Sequence, residues 1–78
     1  MKILIVGYGR MGRLIEQTAL ASGDTVAATM DLDNIGELAE MGRCADIVMD
    51  FSNPATLTFV EDYVRRTGTP LLSGTTGY

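Results

Sequence analysis

Histidine is absent from this 78-residue chain, and cysteine occurs once, at Cys44. The first absence removes the commonest metal ligand and the side chain that most often moves protons near neutral pH. The second excludes an intrachain disulfide or a cysteine metal cluster, and with no histidine to activate it Cys44 reads as an inert loop thiol. Basic residues are scarce as well: Lys2 and five arginines face ten acids, a net charge of -4. Nucleic acid and anionic membrane surfaces reward clustered Lys and Arg, so this balance argues against both. No apolar run approaches the roughly 20 residues of a membrane helix, and the N-terminal aliphatic run is too short for a signal-peptide core and ends in glycines. These features read as cytoplasmic. Tryptophan is missing too, so ligand binding has no indole fluorescence to report it.

What remains is an ordinary soluble composition, 46% hydrophobic and 21% charged, without a low-complexity tract or an internal repeat. The length suits one domain. A chain of this size covers only somewhat more than roughly 60% of its unfolded surface on folding, so a thin core and modest stability are expected.

The most informative residues are the first dozen. Ile3-Leu4-Ile5-Val6 runs directly into Gly7-Tyr8-Gly9-Arg10-Met11-Gly12, and Asp31 follows nineteen residues after Gly12. A glycine triplet between a buried strand and a helix, with an acid at that distance, is the fingerprint of a dinucleotide-binding βαβ unit. Residues 2 to 7 read as a strand buried on both faces, because four consecutive aliphatic side chains leave no polar side. From Arg10 to Ser22, Met11, Leu14, Ile15, Thr18 and Ala19 recur at helical spacing, with Arg13, Glu16 and Gln17 facing away and Gly23 as the stop.

Thr25 to Met30 reads as a second strand that delivers Asp31 at its carboxyl end. Asp33 or Asn34 would cap a short helix carrying Ile35, Leu38 and Met41 and ending near Gly42. Asp46 to Asp50 is the third strand. Asn53 as a cap and Pro54 at the first helical position start a helix that runs through Thr67. That helix places Leu57, Val60 and Val64 on one face with Phe59 and Tyr63 beside it, puts Arg65 and Arg66 near its negative end, and stops at Gly68. Leu71 and Leu72 form a fourth strand that leads into Ser73-Gly74-Thr75-Thr76-Gly77-Tyr78. The expected fold is α/β: a Rossmann-type parallel sheet with helices on both faces, truncated after about four strands, in the order 3-2-1-4 with a crevice between strands 1 and 4.

In such a unit Gly7 permits the tight turn, Gly9 lets the backbone approach a pyrophosphate, and Gly12 lets the helix pack closely on the strands. The helix start offers N–H donors and the positive dipole end to a diphosphate without any lysine. A glycine turn serving packing alone is the competing account. Asp31 can accept both ribose hydroxyls of an adenosine, and its charge repels a 2′-phosphate, which favours NADH; as a plain turn residue it would do neither. Leu32 offers no cation to a 2′-phosphate, whereas Arg10 could swing over the adenine or toward that phosphate, so use of NADPH stays open. Asp50 ends the third strand near the expected crevice, but acids at strand ends commonly bind turn N–H groups, and no partner in the sequence marks it as a general base. Phe51 and Pro54 suit walls against a dinucleotide, core packing being the alternative for Phe51. Gly74-Thr75-Thr76-Gly77 could meet a nicotinamide carboxamide or be a simple turn.

Gly9-Arg10-Met11-Gly12 after the first strand, Asp50-Phe51-Ser52 with Pro54 after the third, and Gly74-Thr75-Thr76-Gly77 after the fourth together resemble the dihydrodipicolinate reductases, over essentially the whole chain. The resemblance implies reduction of 4-hydroxy-tetrahydrodipicolinate with NADH or NADPH in bacterial lysine and diaminopimelate synthesis. It makes residues 1–78 the N-terminal dinucleotide-binding domain of an enzyme whose substrate and tetramerisation domain is absent from this chain. By the same likeness Gly7, Tyr8, Gly9, Arg10, Met11 and Gly12 hold the pyrophosphate, and Asp31 sits at the adenosine ribose. Phe51 and Ser52 lie beside the cofactor, with Gly74, Thr75 and Thr76 along the nicotinamide.

The family's paired histidines and its lysine belong to the other domain, so no catalytic residue is assigned here, and the chain alone is expected to be inactive. Three departures stand out: a glycine loop one residue shorter than in many members, Leu32 where NADPH users often carry arginine, and a brief crossover between strands 2 and 3. Two other classes remain open, a non-catalytic NAD-sensing module and another small-molecule dehydrogenase of the aspartate or semialdehyde type.

Overall fold

A computed structural model describes residues 1–51 and 54–73. Its core is a four-stranded, all-parallel sheet made of β1 (Lys2–Val6), β2 (Thr25–Met30), β3 (Ile47–Asp50) and β4 (Leu71–Ser73). Two α-helices, α1 (Arg10–Ala21) and α2 (Leu57–Thr67), and two 3-10 segments, Ile35–Glu40 and Pro54–Thr56, complete it. The α/β class with helices on both faces is as the sequence implies. The strand order is not: the sheet runs β2-β1-β3-β4, where 3-2-1-4 was expected.

The physical reason lies in the strands themselves. Ile3, Leu4, Ile5 and Val6 are all buried, so β1 needs a neighbour on each side and a cover on each face. The Thr- and Ala-rich β2 is largely half-exposed and suits an edge. β3, with Val48 fully buried, takes the remaining flank of β1, so Ile3 pairs with Ile47 and Val6 with Asp50. The link from β2 to β3 therefore crosses over β1, and it does so on the face opposite α1. Along it Ile35 and Leu38 pack against Leu4, Val6, Val48, Val60 and Tyr63. Their spacing of three matches the three residues per turn of a 3-10 helix, which is what forms here in place of a longer crossover helix.

On the other face the cluster is smaller: Ile3, Ile5 and Ala19, with Ile15, Val26, Ile47 and Met49 beside it. The stripe that α1 buries is Gly12 and Ala19, with Ile15 and Glu16 half-buried. Met11 and Leu14, expected on the inner face, are 52% and 56% exposed, and Thr18 is exposed too. Helix orientation is set by Gly12, which must turn toward the sheet because only a residue without Cβ fits there: an added Cβ would stand 2.5 Å from the Gly7 carbonyl oxygen. Register places Leu72 beside Met49 and Ile5, and Leu72, 51% exposed, extends this apolar side of the sheet toward its β4 edge.

α2 ends as expected at Gly68, whose φ of 73° is the left-handed cap. Its start differs, since a 3-10 turn over Pro54–Thr56 precedes the α-helix; Asn53, the expected cap, lies outside the described residues. Val60 and Tyr63 are fully buried, Leu57 and Val64 half-buried, and Phe59 is 42% exposed on the flank rather than packed. Arg66 ties α2 to the crossover by donating to the carbonyls of Met41 at 2.8 Å and Leu38 at 2.6 Å. The Tyr63 hydroxyl donates to the Gly42 carbonyl at 2.8 Å and lies 3.7 Å from Cys44 Sγ. No helix among the described residues is long and apolar enough to cross a membrane.

Candidate functional site

The chain leaves β1 toward α1 on one face and leaves β3 toward α2 on the opposite face, so the connections diverge between these neighbouring strands. In an open parallel sheet that divergence opens a crevice at the carboxyl ends of the strands. A cleft of about 230 Å³ lies at this end, lined by Gly7, Gly9, Arg10, Met11, Asp31, Leu32, Phe51 and Thr56. The expected position between strands 1 and 4 is thus corrected to one between β1 and β3, because β3 rather than the fourth strand flanks β1.

Gly7 turns the chain with φ of 89°, a value that side chains other than glycine rarely adopt. Its N–H donates to the Met30 carbonyl at 2.7 Å, tying the glycine loop to the end of β2, from which Asp31 emerges. The Phe51 N–H donates in the same way to Val6 at 2.8 Å and brings the β3 exit alongside the loop. Gly9 caps α1: its carbonyl accepts from Arg13 N–H at 3.0 Å, and having no side chain it leaves the first-turn amides uncapped. No acid stands in that first turn, so nothing there opposes an anion at the positive end of the dipole. Open space lies where a Gly9 side chain would be. The donor set therefore fits a diphosphate: a bare helix start beside a backbone that can be approached closely.

Asp31 is exposed at the rim. Its Oδ1 accepts from the Leu32 N–H at 2.8 Å, while its own N–H donates to Asn34 Oδ1 at 2.6 Å. Asn34 also donates from Nδ2 to the Thr29 carbonyl at 3.2 Å, so it fixes the turn holding Asp31 through side-chain bonds. Asn34 is the residue that flanks the 3-10 helix, as one of the two expected caps, though it makes no side-chain capping bond there.

Of the residues expected at the cofactor, the cleft brings together Gly7, Gly9, Arg10, Met11, Asp31 and Phe51. Gly12 lies beneath it as a packing contact. Tyr8 does not line it: its hydroxyl donates to the Glu16 carboxylate and its ring lies against Arg13, along α1. Ser52, Gly74, Thr75 and Thr76 lie outside the described residues. Asp50 is fully buried at the end of β3 and is not among the residues lining the cleft. Thr56 was missed. It is almost fully buried at the start of α2 and lines the cleft. Its signal was its place one turn after the third strand, which means little until the strand order is known.

Fold and cleft together define a Rossmann-like α/β domain. The family model described as dihydrodipicolinate reductase, N-terminus, matches residues 1–78, and the chain belongs to that family. It is similar to proteins named 4-hydroxy-tetrahydrodipicolinate reductase from Exiguobacterium sp. (38% identical over 81 residues), Acidiphilium cryptum (37% over 79) and Campylobacter jejuni (37% over 78). These matches cover 99–100% of this chain but only 31–32% of each relative, so the chain spans about a third of their length.

Proposed function

We propose that this chain is the dinucleotide-binding portion of a 4-hydroxy-tetrahydrodipicolinate reductase, with NADH as the preferred cofactor and NADPH as an alternative. The observation that carries this is the cleft itself, in which the glycine loop, the bare start of α1, Asp31 and Phe51 converge at the carboxyl end of a parallel sheet. The names of the relatives supply the reaction class. A bound reduced nicotinamide supplies a hydride to the cyclic imine-type substrate of lysine and diaminopimelate synthesis.

This chain's residues bind and orient. The amides at Gly9 and Arg10 hold the diphosphate, and Asp31 accepts from the ribose hydroxyls through the carboxylate oxygen not engaged by Leu32 N–H. Phe51 walls the crevice, and Ser52 and the Gly74–Thr76 segment take the nicotinamide end. With a carboxylate and Leu32 at the rim, a 2′-phosphate meets repulsion, and among the described lining residues Arg10 is the cation that can offset it. Proton donation and substrate anchoring fall to residues outside this chain, so the chain alone is inactive; the complete protein is a cytoplasmic homotetramer. Calorimetric titration with NADH and NADPH tests the cofactor assignment: NADH binds at least as tightly, and a clear NADPH preference would overturn the roles of Asp31 and Leu32. A longer polypeptide that failed to oxidise NADH with freshly made substrate would overturn the reaction.

A further inference from the structure

We infer that Tyr8 is a positioning residue, whose anchored side chain holds the peptide planes of the glycine loop in the shape that a diphosphate requires. The inference depends on the dinucleotide reading above and adds to it a part for a side chain that does not touch the cleft. Tyr8 stands between Gly7 and Gly9, so the turn contains a single side chain. Glycine loses more conformational freedom on ordering than any other residue, and a loop left loose before binding loses affinity when it must be fixed afterwards.

Backbone bonds hold the two ends of the turn, Gly7 N–H to the Met30 carbonyl and Gly9 carbonyl to the Arg13 N–H. Between them the Tyr8 hydroxyl donates to the carboxylate of Glu16, which lies further along α1 and is itself half-buried. Arg13 adds a second hold, its guanidinium carbon 5.4 Å from the centre of the Tyr8 ring, within cation–π range. Acceptance by Glu16, with some help from burial, raises the phenol above its ordinary pKa of 10.0, so the donor keeps its proton throughout the neutral range. The clamp draws the Tyr8 side chain out of the cleft and onto the helix, which leaves the loop's backbone facing the ligand.

Three variants test this: Tyr8→Phe removes the donor, Glu16→Ala removes the acceptor, and Glu16→Gln keeps an accepting oxygen. Amide hydrogen exchange at Gly7 and Arg13, whose bonded N–H groups hold the two ends of the turn, is read in the cofactor-free protein, NADH affinity by calorimetry, and the thermal midpoint on the same samples. Y8F and E16A are expected to exchange several-fold faster at those two amides and to bind NADH about three- to tenfold more weakly, the scale of one hydrogen bond. Their midpoints should fall by no more than about 8 °C, the scale of one such bond in a domain of this size, and E16Q should behave like the parent. Unchanged exchange in Y8F, or an affinity loss that merely tracks a large fall in midpoint, overturns the clamp. A parent protein that does not bind NADH overturns the dinucleotide reading instead, and exchange at Gly7 and Arg13 then decides the clamp without it.

Discussion

Substituting Gly12 by alanine sets two opposed effects against each other. Alanine in place of glycine within a helix favours the fold by about 1 kcal/mol, since it narrows the unfolded ensemble and suits the helical backbone. Against this, the new Cβ would sit 2.5 Å from the Gly7 carbonyl oxygen, 3.3 Å from its carbon and 3.4 Å from Ile5 Cγ2. The nearest of these is backbone and cannot escape by a change of rotamer, so the upper end of the overpacking range applies, about 3 kcal/mol. The net effect is a loss of about 2 kcal/mol. For a domain of this size that lowers the thermal midpoint by roughly 8–16 °C. Because relief comes from pushing α1 away from the glycine loop, NADH affinity should fall as well. Gly36→Ala serves as control: its Cβ meets nothing within 4 Å, so the change should be neutral or stabilising by up to about 1 kcal/mol. Thermal and urea unfolding of both variants decide the matter. A G12A protein as stable as its parent would refute both the close approach of α1 to the loop and the account of why α1 faces the sheet as it does.

Gly9→Ala should leave the midpoint nearly unchanged, since space is open at that position, yet weaken NADH at least about tenfold by filling the approach to the diphosphate; calorimetry beside thermal melting separates the two. Arg66→Ala removes both bonds to the 3-10 crossover and should cost about 1–2 kcal/mol in urea unfolding, with accelerated amide exchange across residues 38–41. Alkaline pH should destabilise the fold through Tyr63, whose pKa is raised chiefly by burial and then by its contact with Cys44, and through Tyr8, raised chiefly by Glu16. Both folded values lie above the unfolded value of about 10, so their contribution is complete below that pH and is lost as pH rises through the folded values. Urea midpoints across the alkaline range, followed with tyrosinate absorbance, check the sign.

The elements were legible where one local cause dominated. The unbroken run Ile3–Val6 marked the central strand, Gly68 marked a left-handed stop, and the spacing of Ile35, Leu38 and Met41 marked a short helical crossover. Strand order was not legible from a motif, because it depends on which strand can tolerate an open edge, a comparison between β2 and β3 rather than a property of either. The inner face of α1 was misread for a related reason: hydrophobicity favoured Met11 and Leu14, whereas steric fit at Gly12 decided. At the site, the glycines and Asp31 form a pattern readable from spacing, whereas nothing in the sequence pairs Tyr8 with Glu16. Thr56 became visible only once β3 was seated beside β1.

Between α1 and the sheet the molecule keeps a greasy flank: a groove of about 160 Å³ lined by Ile3, Ile15, Thr18, Ala19, Ser22, Asp24 and Met49, with Leu72, the neighbour of Met49 in register, half in solvent. Water is a poor neighbour for such a patch, and two copies meeting there would each shed some of it. Concentrated solutions of the isolated chain should therefore scatter light before they show any loss of helix, and a charged replacement at Leu72, which is not among the residues lining the cleft, should clear them.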